Sequence, residues 1–577
     1  MKLRAIQAQY PLRRWLVLGL FLCGMAVLSS RAVYLQLLNN EFLKEHGDAR
    51  SIRVVDIPSH RGVIVDRNDE PLAMSTPVDS IWVTPRKVFE DVERFPDLAK
   101  VMGMTVADLH EILRDRISRE FVYLKRHANP GLVKEIQKLG IRGVSTQREY
   151  KRYYPAAEVT SHIIGFTNID DQGQEGMELA YDQWLSGKTG KKRVLKDRLN
   201  RVVENIESIE SSEPGKKLTL SIDRRVQYLA YRELAAAVKY HRAKGGSLVM
   251  LDVRTGEVMA MVGQPSYNPN NRKTLKSHFY RNRAVTDVFE PGSTMKPFTI
   301  SAGLESGIYN PHTAINTSPG YFKVGEHTIR DIHNYGSIDV STVITKSSNV
   351  GASKIALSLE PEKYWDVLSR FGFGQPTGSA FPGESSGILS PYNTWSDFEM
   401  ATMSFGYGLS VTPLQLAQAY SVLATGGVML PISFLKVSDS VSGKRVLPEN
   451  IARQVRKMLE TVVSAKGTGK RAAIRGYRVI GKTGTVHKSV HGGYSDDRYL
   501  SLFAGIAPAS EPRFAMVILI DEPRGDSHYG GVVAAPVFSR VMEGAFRILN
   551  IPPDDLPAIT SPIMANSHQP DRLQGFE

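Results

Sequence analysis

Trp15 to Leu28 is an unbroken run of apolar residues and glycine, and apolar character resumes from Ala32 to Leu38 after Ser29-Ser30-Arg31. A helix needs about 20 mostly apolar residues to cross a bilayer. Trp15 to Leu35 meets that length if the Arg31 guanidinium reaches the interface along its aliphatic stem. Lys2, Arg4, Arg13 and Arg14 precede the run, and basic flanks stay on the cytoplasmic side. The expectation is a cytoplasmic tail over 1–14, a transmembrane anchor over 15–37, and everything beyond outside the cytoplasmic membrane. A cleaved signal peptide is the rival reading, but no good small-x-small cleavage site follows the run. Cys23, the only cysteine, then lies in the bilayer. Neither an intramolecular disulfide nor a cysteine-based metal framework can form.

The chain has 577 residues, of which 42% are hydrophobic. That is ample for more than one core. Its net charge of +13 is spread along the chain and is mostly solvated charge, suited to anionic surfaces. No cluster of nucleic-acid motif residues accompanies it, so nucleic acid is not an expected partner. The 14 histidines show no metal-ligand spacing. His110-Glu111 lacks the second histidine of a zinc helix. No metal and no organic cofactor are expected.

Residues 39–58 read as a polar stalk. From 59 to about 215, short strands and loops mix with helical pieces such as Ala107–Arg114 and Gly131–Leu139. No catalytic set occurs there, so 38–215 reads as a stalk and a spacer or docking pedestal of mixed α/β character. Glu213-Pro214-Gly215-Lys216 is a linker turn. A new pattern fills 216–560. Asp223 to Lys239 carries Val226, Leu229, Ala230, Leu234 and Val238 at helical spacing. Ser247–Val253 and Val258–Val262 flank a turn, and Tyr499–Ile506 and Arg513–Ile520 read as two more strands. Val533 to Leu549 reads as a helix. Terminal helices around an antiparallel sheet, with a helical insert, define an α+β sandwich. Residues 561–577 are polar and expected to be disordered.

Three short segments carry chemistry. In Ser293-Thr294-Met295-Lys296, residues i and i+3 share a helix face, which brings the lysine amine to the serine hydroxyl. A serine needs such a base before it is a useful nucleophile. A lysine serves only if burial or a neighbouring cation lowers its pKa. Ser347-Ser348-Asn349 offers a hydroxyl and an amide two residues apart. Lys482-Thr483-Gly484-Thr485, after strand-like Tyr477–Ile480, offers a cation, hydroxyls and a glycine that permits close backbone approach. Each has a decoy: Ser433-x-x-Lys436, Ser266-x-Asn268 and Lys188-Thr189-Gly190. Only one ordered set has every member in a fitting context, with steps of 54 residues from Ser293 to Ser347 and 135 from Ser347 to Lys482. Gly476 to Thr483 also satisfies the P-loop pattern literally, but a P-loop requires a following helix whose N-terminus holds phosphate. Gly484-Thr485-Val486-His487 is not one.

The ordered set resembles that of penicillin-binding proteins and class A β-lactamases. Arg61–Arg67, Arg152-Tyr153-Tyr154-Pro155 and Gly173–Glu178 resemble the N-terminal module of class B penicillin-binding proteins. Asp287–Ser293 and Ser404-Phe405-Gly406-Tyr407-Gly408 resemble their transpeptidase domain. The similarity covers roughly residues 10 to 555 and is strongest with the septal D,D-transpeptidases of Gram-negative bacteria. It implies the penicillin-binding transpeptidase fold over 216–560, a dimerisation-like pedestal over 38–215, and a single inner-membrane span. It also implies a serine enzyme that cross-links peptidoglycan stem peptides and is acylated by β-lactam antibiotics. Ser293 would be the nucleophile and Lys296 its base. Ser347, Asn349 and Lys482 would relay protons and position the donor, and Thr483 and Thr485 would bind the carboxylate of the leaving residue, with Gly484 between them at the substrate-binding strand edge. Backbone N–H groups of Ser293 and Thr485 would form the oxyanion hole. The expected partners are a membrane glycosyltransferase and other division proteins. His487 stands where the family is expected to carry Arg or Lys. It would share the ligand face with Thr483 and Thr485 and favour carboxylate capture in mild acid, and it points to a specialised paralogue. An inert scaffold that keeps the fold is the competing class, and the intact three-part set argues against it.

Overall fold

The computed structural model describes residues 11–38, 41, 52–196, 202–272, 276–490 and 493–556. The expected tail over 561–577, Lys2, Arg4 and most of the expected stalk fall outside the described residues. The chain divides into two compact units: 1–61, 75–151 and 186–216 form one, and 62–74, 152–185 and 217–577 the other.

The first unit begins with a helix over Pro11–Val33 that runs on as a wider turn over Tyr34–Leu38. Its span Leu12–Leu37 has a mean hydropathy of 2.0 and is long and apolar enough to cross a membrane. The Arg31 guanidinium lies over the Tyr34 ring, 5.2 Å from its centroid. Ile52–Ile57, assigned above to the stalk, is instead a strand. It pairs antiparallel with Gly190–Lys196, which pairs in turn with Val202–Glu210. β-branched Ile52, Val54, Val55 and Ile57 favour that conformation. The helices Phe95–Met102, Val106–Arg114 and Pro130–Leu139 pack Leu98, Leu109, Leu113, Val133 and Ile136 against Ile81 and Val83. Local signals set their ends. Thr105 and Asp108 make a reciprocal N-terminal cap, Asn129 caps the helix opened by Pro130, and Gly103 and Gly140 close theirs in the left-handed conformation.

The second unit is built on a five-stranded antiparallel sheet in the order Val258–Gln264, Gly245–Asp252, Phe514–Asp521, Gly493–Ala507, Ile480–Val490. Its central strands read as near-continuous apolar runs because both faces are covered. Leu248, Met250, Met516 and Ile518 meet Val226, Leu234, Phe538 and Val541 of the terminal helices Arg224–Tyr240 and Ala535–Ile548. Val249, Leu251, Val517 and Leu519 face the other way, onto a core that includes Phe298, Leu416, Tyr420 and Leu423 of the helical insert. The alternation follows from the two-residue period of a strand.

The last strand begins at Ile480, not at Tyr477. Gly476 is in a left-handed turn that bridges Ile474 to Tyr477, so Lys482 to Thr485 lie inside the strand. The strand runs on to Val490, so the residues directly after Thr483 offer the phosphate-loop reading of Gly476–Thr483 no helix N-terminus.

Candidate active site

Lys296 opens the helix Lys296–Glu305, with Ser293 in the single tight turn Gly292–Met295 before it. Every residue from Lys296 to Leu304 is buried, so this helix is enclosed on all sides and Lys296 is carried into the core by its position. Pro297 in the first turn costs no hydrogen bond there. Gly292 has φ +55° and Gly406 φ +89°. Gly292 N donates to Gly406 O at 3.1 Å, and a Cβ on Gly406 would lie 2.1 Å from Gly292 O. The Ser404–Gly408 segment therefore braces the nucleophile turn from behind by direct backbone contact.

Ser347 ends the helix Val340–Lys346 with φ +60°, ψ +41°. A left-handed serine costs on the order of 1 kcal/mol, strain of the kind that collects at functional sites. The next helix, Asn349–Leu357, is capped by Ser348, whose Oγ accepts from Gly351 N at 2.9 Å. The turn between the two helices presents Ser347 Oγ and Asn349 Oδ1 to the lysine.

These elements converge on two amines. Lys296 Nζ lies 2.9 Å from Ser293 Oγ, 3.0 Å from Ser347 Oγ, 2.8 Å from Ser347 O and 2.7 Å from Asn349 Oδ1. Lys482 Nζ lies 2.9 Å from Ser347 Oγ and 3.1 Å from Thr483 O. Both lysines are fully buried. Burial pushes the Lys296 amine well below its ordinary value, and the charge of Lys482 adds to the effect while Asp331 opposes it. Burial brings Lys482 down to about 7. A neutral amine has two N–H donors and one lone pair. The carbonyl of Ser347 and the amide oxygen of Asn349 can only accept, so they take both N–H groups of neutral Lys296. Its lone pair is left for a hydroxyl.

The strand carrying Lys482 supplies a second side to the site. Gly484 sits against the nucleophile turn: a Cβ there would meet Thr294 Cγ2 at 3.1 Å and Pro291 O at 3.2 Å. The close approach expected of this glycine is thus made by the protein's own Pro291–Thr294 turn. Thr483 Oγ1 pairs with Thr468 Oγ1 at 2.9 Å, and Thr485 Oγ1 accepts from Gly530 N at 3.0 Å. His487 Nδ1 lies 2.9 Å from Ser495 O. A carbonyl oxygen only accepts, so Nδ1 carries the proton. The imidazole also packs on Tyr499, which stacks on His528.

The decoys are not assembled. Ser433 Oγ donates to Leu435 O and Lys436 Nζ to Arg67 O. Asn268 donates to Glu158 and Lys188 pairs with Glu213. Among the described residues no group of three or more His, Cys, Asp or Glu side chains could hold a metal ion.

Four neighbours lie outside the three catalytic segments. Asp331 grips the Ser347–Asn349 turn, Thr468 meets Thr483, Gly530 meets Thr485, and Glu290 holds Gly408 N and the Tyr494 hydroxyl through Oε1 at 2.9 and 2.8 Å. Burial raises the Glu290 carboxyl above its ordinary value. Glu290, close before Ser293 in the chain, could have been sought next to the motifs. Asp331, Thr468 and Gly530 reach the site only through the fold.

Residues 246–543 match the penicillin binding protein transpeptidase domain and residues 56–220 the penicillin-binding protein dimerisation domain. The chain belongs to the penicillin-binding protein family, and with both domains it is a class B member. The peptidoglycan D,D-transpeptidase FtsI of Escherichia coli is 44% identical over 94% of this chain and 92% of its own length. The probable peptidoglycan D,D-transpeptidase PbpC of Pseudomonas aeruginosa is 42% identical over 94% and 96%. The solved transpeptidase domain of Burkholderia pseudomallei penicillin-binding protein 3 is 43% identical and superposes with a TM-score of 0.54, covering 59% of this chain and 98% of that domain. The protein is a serine penicillin-binding transpeptidase, and peptidoglycan and β-lactams are the ligands that fit this class.

Proposed function

We propose that this protein cross-links the stem peptides of the septal cell wall through an acyl-enzyme on Ser293. The observation that carries the reading is the Lys296 amine, fully buried, depressed in pKa and 2.9 Å from Ser293 Oγ. Neutral Lys296 takes the hydroxyl proton as Ser293 Oγ attacks the penultimate D-Ala carbonyl of a donor ending in D-Ala-D-Ala. An ester forms, the amide C–N bond breaks, and the proton passes to the departing D-Ala amine through Ser347, which both lysines reach. Lys482 and Asn349 position the donor. Backbone N–H groups of Ser293 and Thr485 hold the oxyanion. Thr483, Thr485 and His487 face the terminal carboxylate, which a β-lactam carboxylate imitates. The amine of a neighbouring stem peptide then attacks the ester, a new amide forms, and Ser293 regains its proton.

The fold over 216–560, the pedestal over 38–215 and the apolar N-terminal helix support a single-pass inner-membrane enzyme, N-terminus inside and catalytic domain in the periplasm. A membrane glycosyltransferase of the division complex would supply the polymer. The test is a transpeptidation assay on the full-length protein in detergent, with a stem peptide ending in D-Ala-D-Ala and an amine acceptor. Release of D-Ala together with a donor–acceptor amide is expected. Absence of both products from protein that binds penicillin would overturn the transpeptidase reading.

A further inference from the structure

A cavity of about 810 Å³ opens in the second unit, lined by the end of the helix Arg224–Tyr240, the start of the helix Ala535–Ile548, the turn Lys470–Ala472 and the loop 525–527. Its size is that of a ligand site, yet none of its lining residues belongs to the Ser293 site. Three guanidinium groups line it and are short of partners. Arg540 Nε donates to Glu233 Oε2 at 2.6 Å, but Glu233 also accepts from Arg232 at 2.8 Å. Arg242 donates to one carbonyl, Arg524 O, at 3.1 Å. Arg471 has no hydrogen bond or ion pair among the described residues.

The lining also holds Asp526, which likewise has no hydrogen bond or ion pair there. The His241 imidazole feels both signs: burial lowers its pKa, the charge of Arg540 lowers it further, and Asp526 opposes them. Tyr240 stands at the rim, 79% exposed and edge-on to His241 at 4.9 Å. Guanidinium forks match carboxylates in geometry and charge. A simple anion would meet the like charge of Asp526, whereas a peptide amine would pair with it. The lining thus suits a peptide with more carboxylates than amines, and the exposed Tyr240 ring offers such a ligand a flat apolar face.

We propose that this cavity is a second peptidoglycan-binding site, which takes an acidic stem peptide and steadies Thr485 through the loop it occupies. The ligand class rests on the peptidoglycan reading of the Ser293 site. The loop is fixed at its start. Glu522, left-handed at φ +49°, accepts from Lys488 at 2.8 Å and from Lys244 at 3.4 Å, and Arg524 N donates to His241 O at 2.8 Å. At its end Gly530 N donates to Thr485 Oγ1 at 3.0 Å. A ligand that bridges Asp526 to Arg471 restrains the short stretch between these two anchors, and with it the hydrogen bond that holds Thr485.

The probe is a fluorescent stem tetrapeptide that lacks the terminal D-Ala, titrated into full-length protein in detergent after Ser293 has been blocked with penicillin. Wild type should bind it. Arg471→Ala should bind it roughly tenfold more weakly or worse, the cost of a lost charge-assisted hydrogen bond, while melting and labelling with penicillin as wild type does. Inorganic phosphate at the same concentration should not displace the peptide. On unblocked protein, saturating peptide should speed penicillin acylation of wild type by roughly fivefold, the low end for coupled sites, and should not speed that of Arg471→Ala. No binding to the blocked wild type, equal affinity in Arg471→Ala, displacement by phosphate, or an acylation rate that the peptide does not raise would each overturn the proposal. Wild-type protein that takes up no penicillin would instead refute the reading of the Ser293 site.

Discussion

Lys296 and Lys482, one at the start of a helix and the other inside a strand, reach the same oxygen, Ser347 Oγ, at 3.0 and 2.9 Å. Two buried ammonium groups sharing one hydroxyl repel each other, so the pair holds its first proton far more tightly than its second. The charge of Lys482 is the second cause, after burial, that depresses Lys296. The resting site therefore keeps Lys296 neutral, as a base must be, while Lys482 retains a proton up to about pH 7.

Acylation by carboxylate-bearing β-lactams should follow a bell-shaped pH profile. On the acid side, raising the pH frees Lys296 of its proton and the rate climbs. On the alkaline side, the rate declines as Lys482 loses its charge near pH 7 and with it the attraction for the ligand carboxylate. Rapid-mix labelling of wild type and Lys482→Met checks this: the variant should be slower throughout and should lack the alkaline limb. An alkaline limb that survives in Lys482→Met would assign it to another group.

The same burial makes Lys482 a stability liability. Its folded value of about 7 lies below the ordinary value near 10.4. Between those two pH values the unfolded chain holds a proton that the folded chain lacks, so folding stability rises with pH across the window. Below pH 7 the full penalty of burying the charge remains. Lys482→Met should therefore melt a few degrees higher than wild type at pH 6, and the gap should narrow toward pH 10. Calorimetry at both pH values gives the answer, and a variant less stable than wild type at pH 6 would show that the hydrogen bond to Ser347 outweighs the burial cost.

Gly530→Ala should damage the site without touching a motif. A Cβ there would lie 2.2 Å from Leu502 O and 2.3 Å from Gly484 O, and backbone atoms have little room to yield. The Gly530 N–Thr485 Oγ1 bond at 3.0 Å should break and Thr485 should shift. Penicillin acylation is expected to drop roughly tenfold or more, with the circular dichroism spectrum retained. Unchanged acylation would mean that Thr485 needs no such support.

Much of the second unit was legible in the sequence because its signals are local and strongly periodic. The helical spacing of Val226, Leu229, Ala230 and Leu234, and the apolar runs at 247–253 and 513–520, reappear as the terminal helix and central strands. Two local readings failed for physical reasons. Ile52–Ile57 is a half-exposed strand whose partner, Gly190–Lys196, lies far along the chain, so nothing nearby announces it. Tyr477 to Val479 is rich in β-formers, yet the left-handed Gly476 turns the chain there, and pairing with Gly493–Ala507 starts only at Ile480. At the site, residue type and order identified the groups that converge on Lys296. Asp331 and Thr468 stayed invisible, since a lone acid and a lone threonine in loops have no pattern until the fold places them beside Ser348 and Thr483.

The most direct test of the account is the intact mass of the full-length protein after exposure to penicillin. Wild type should gain the mass of one penicillin on the peptide containing Ser293, and Ser433→Ala, which alters the unassembled decoy, should do the same. Ser293→Ala should gain nothing while melting as wild type does. A folded Ser293→Ala protein that still gains one penicillin mass would contradict the assignment of Ser293 as the nucleophile.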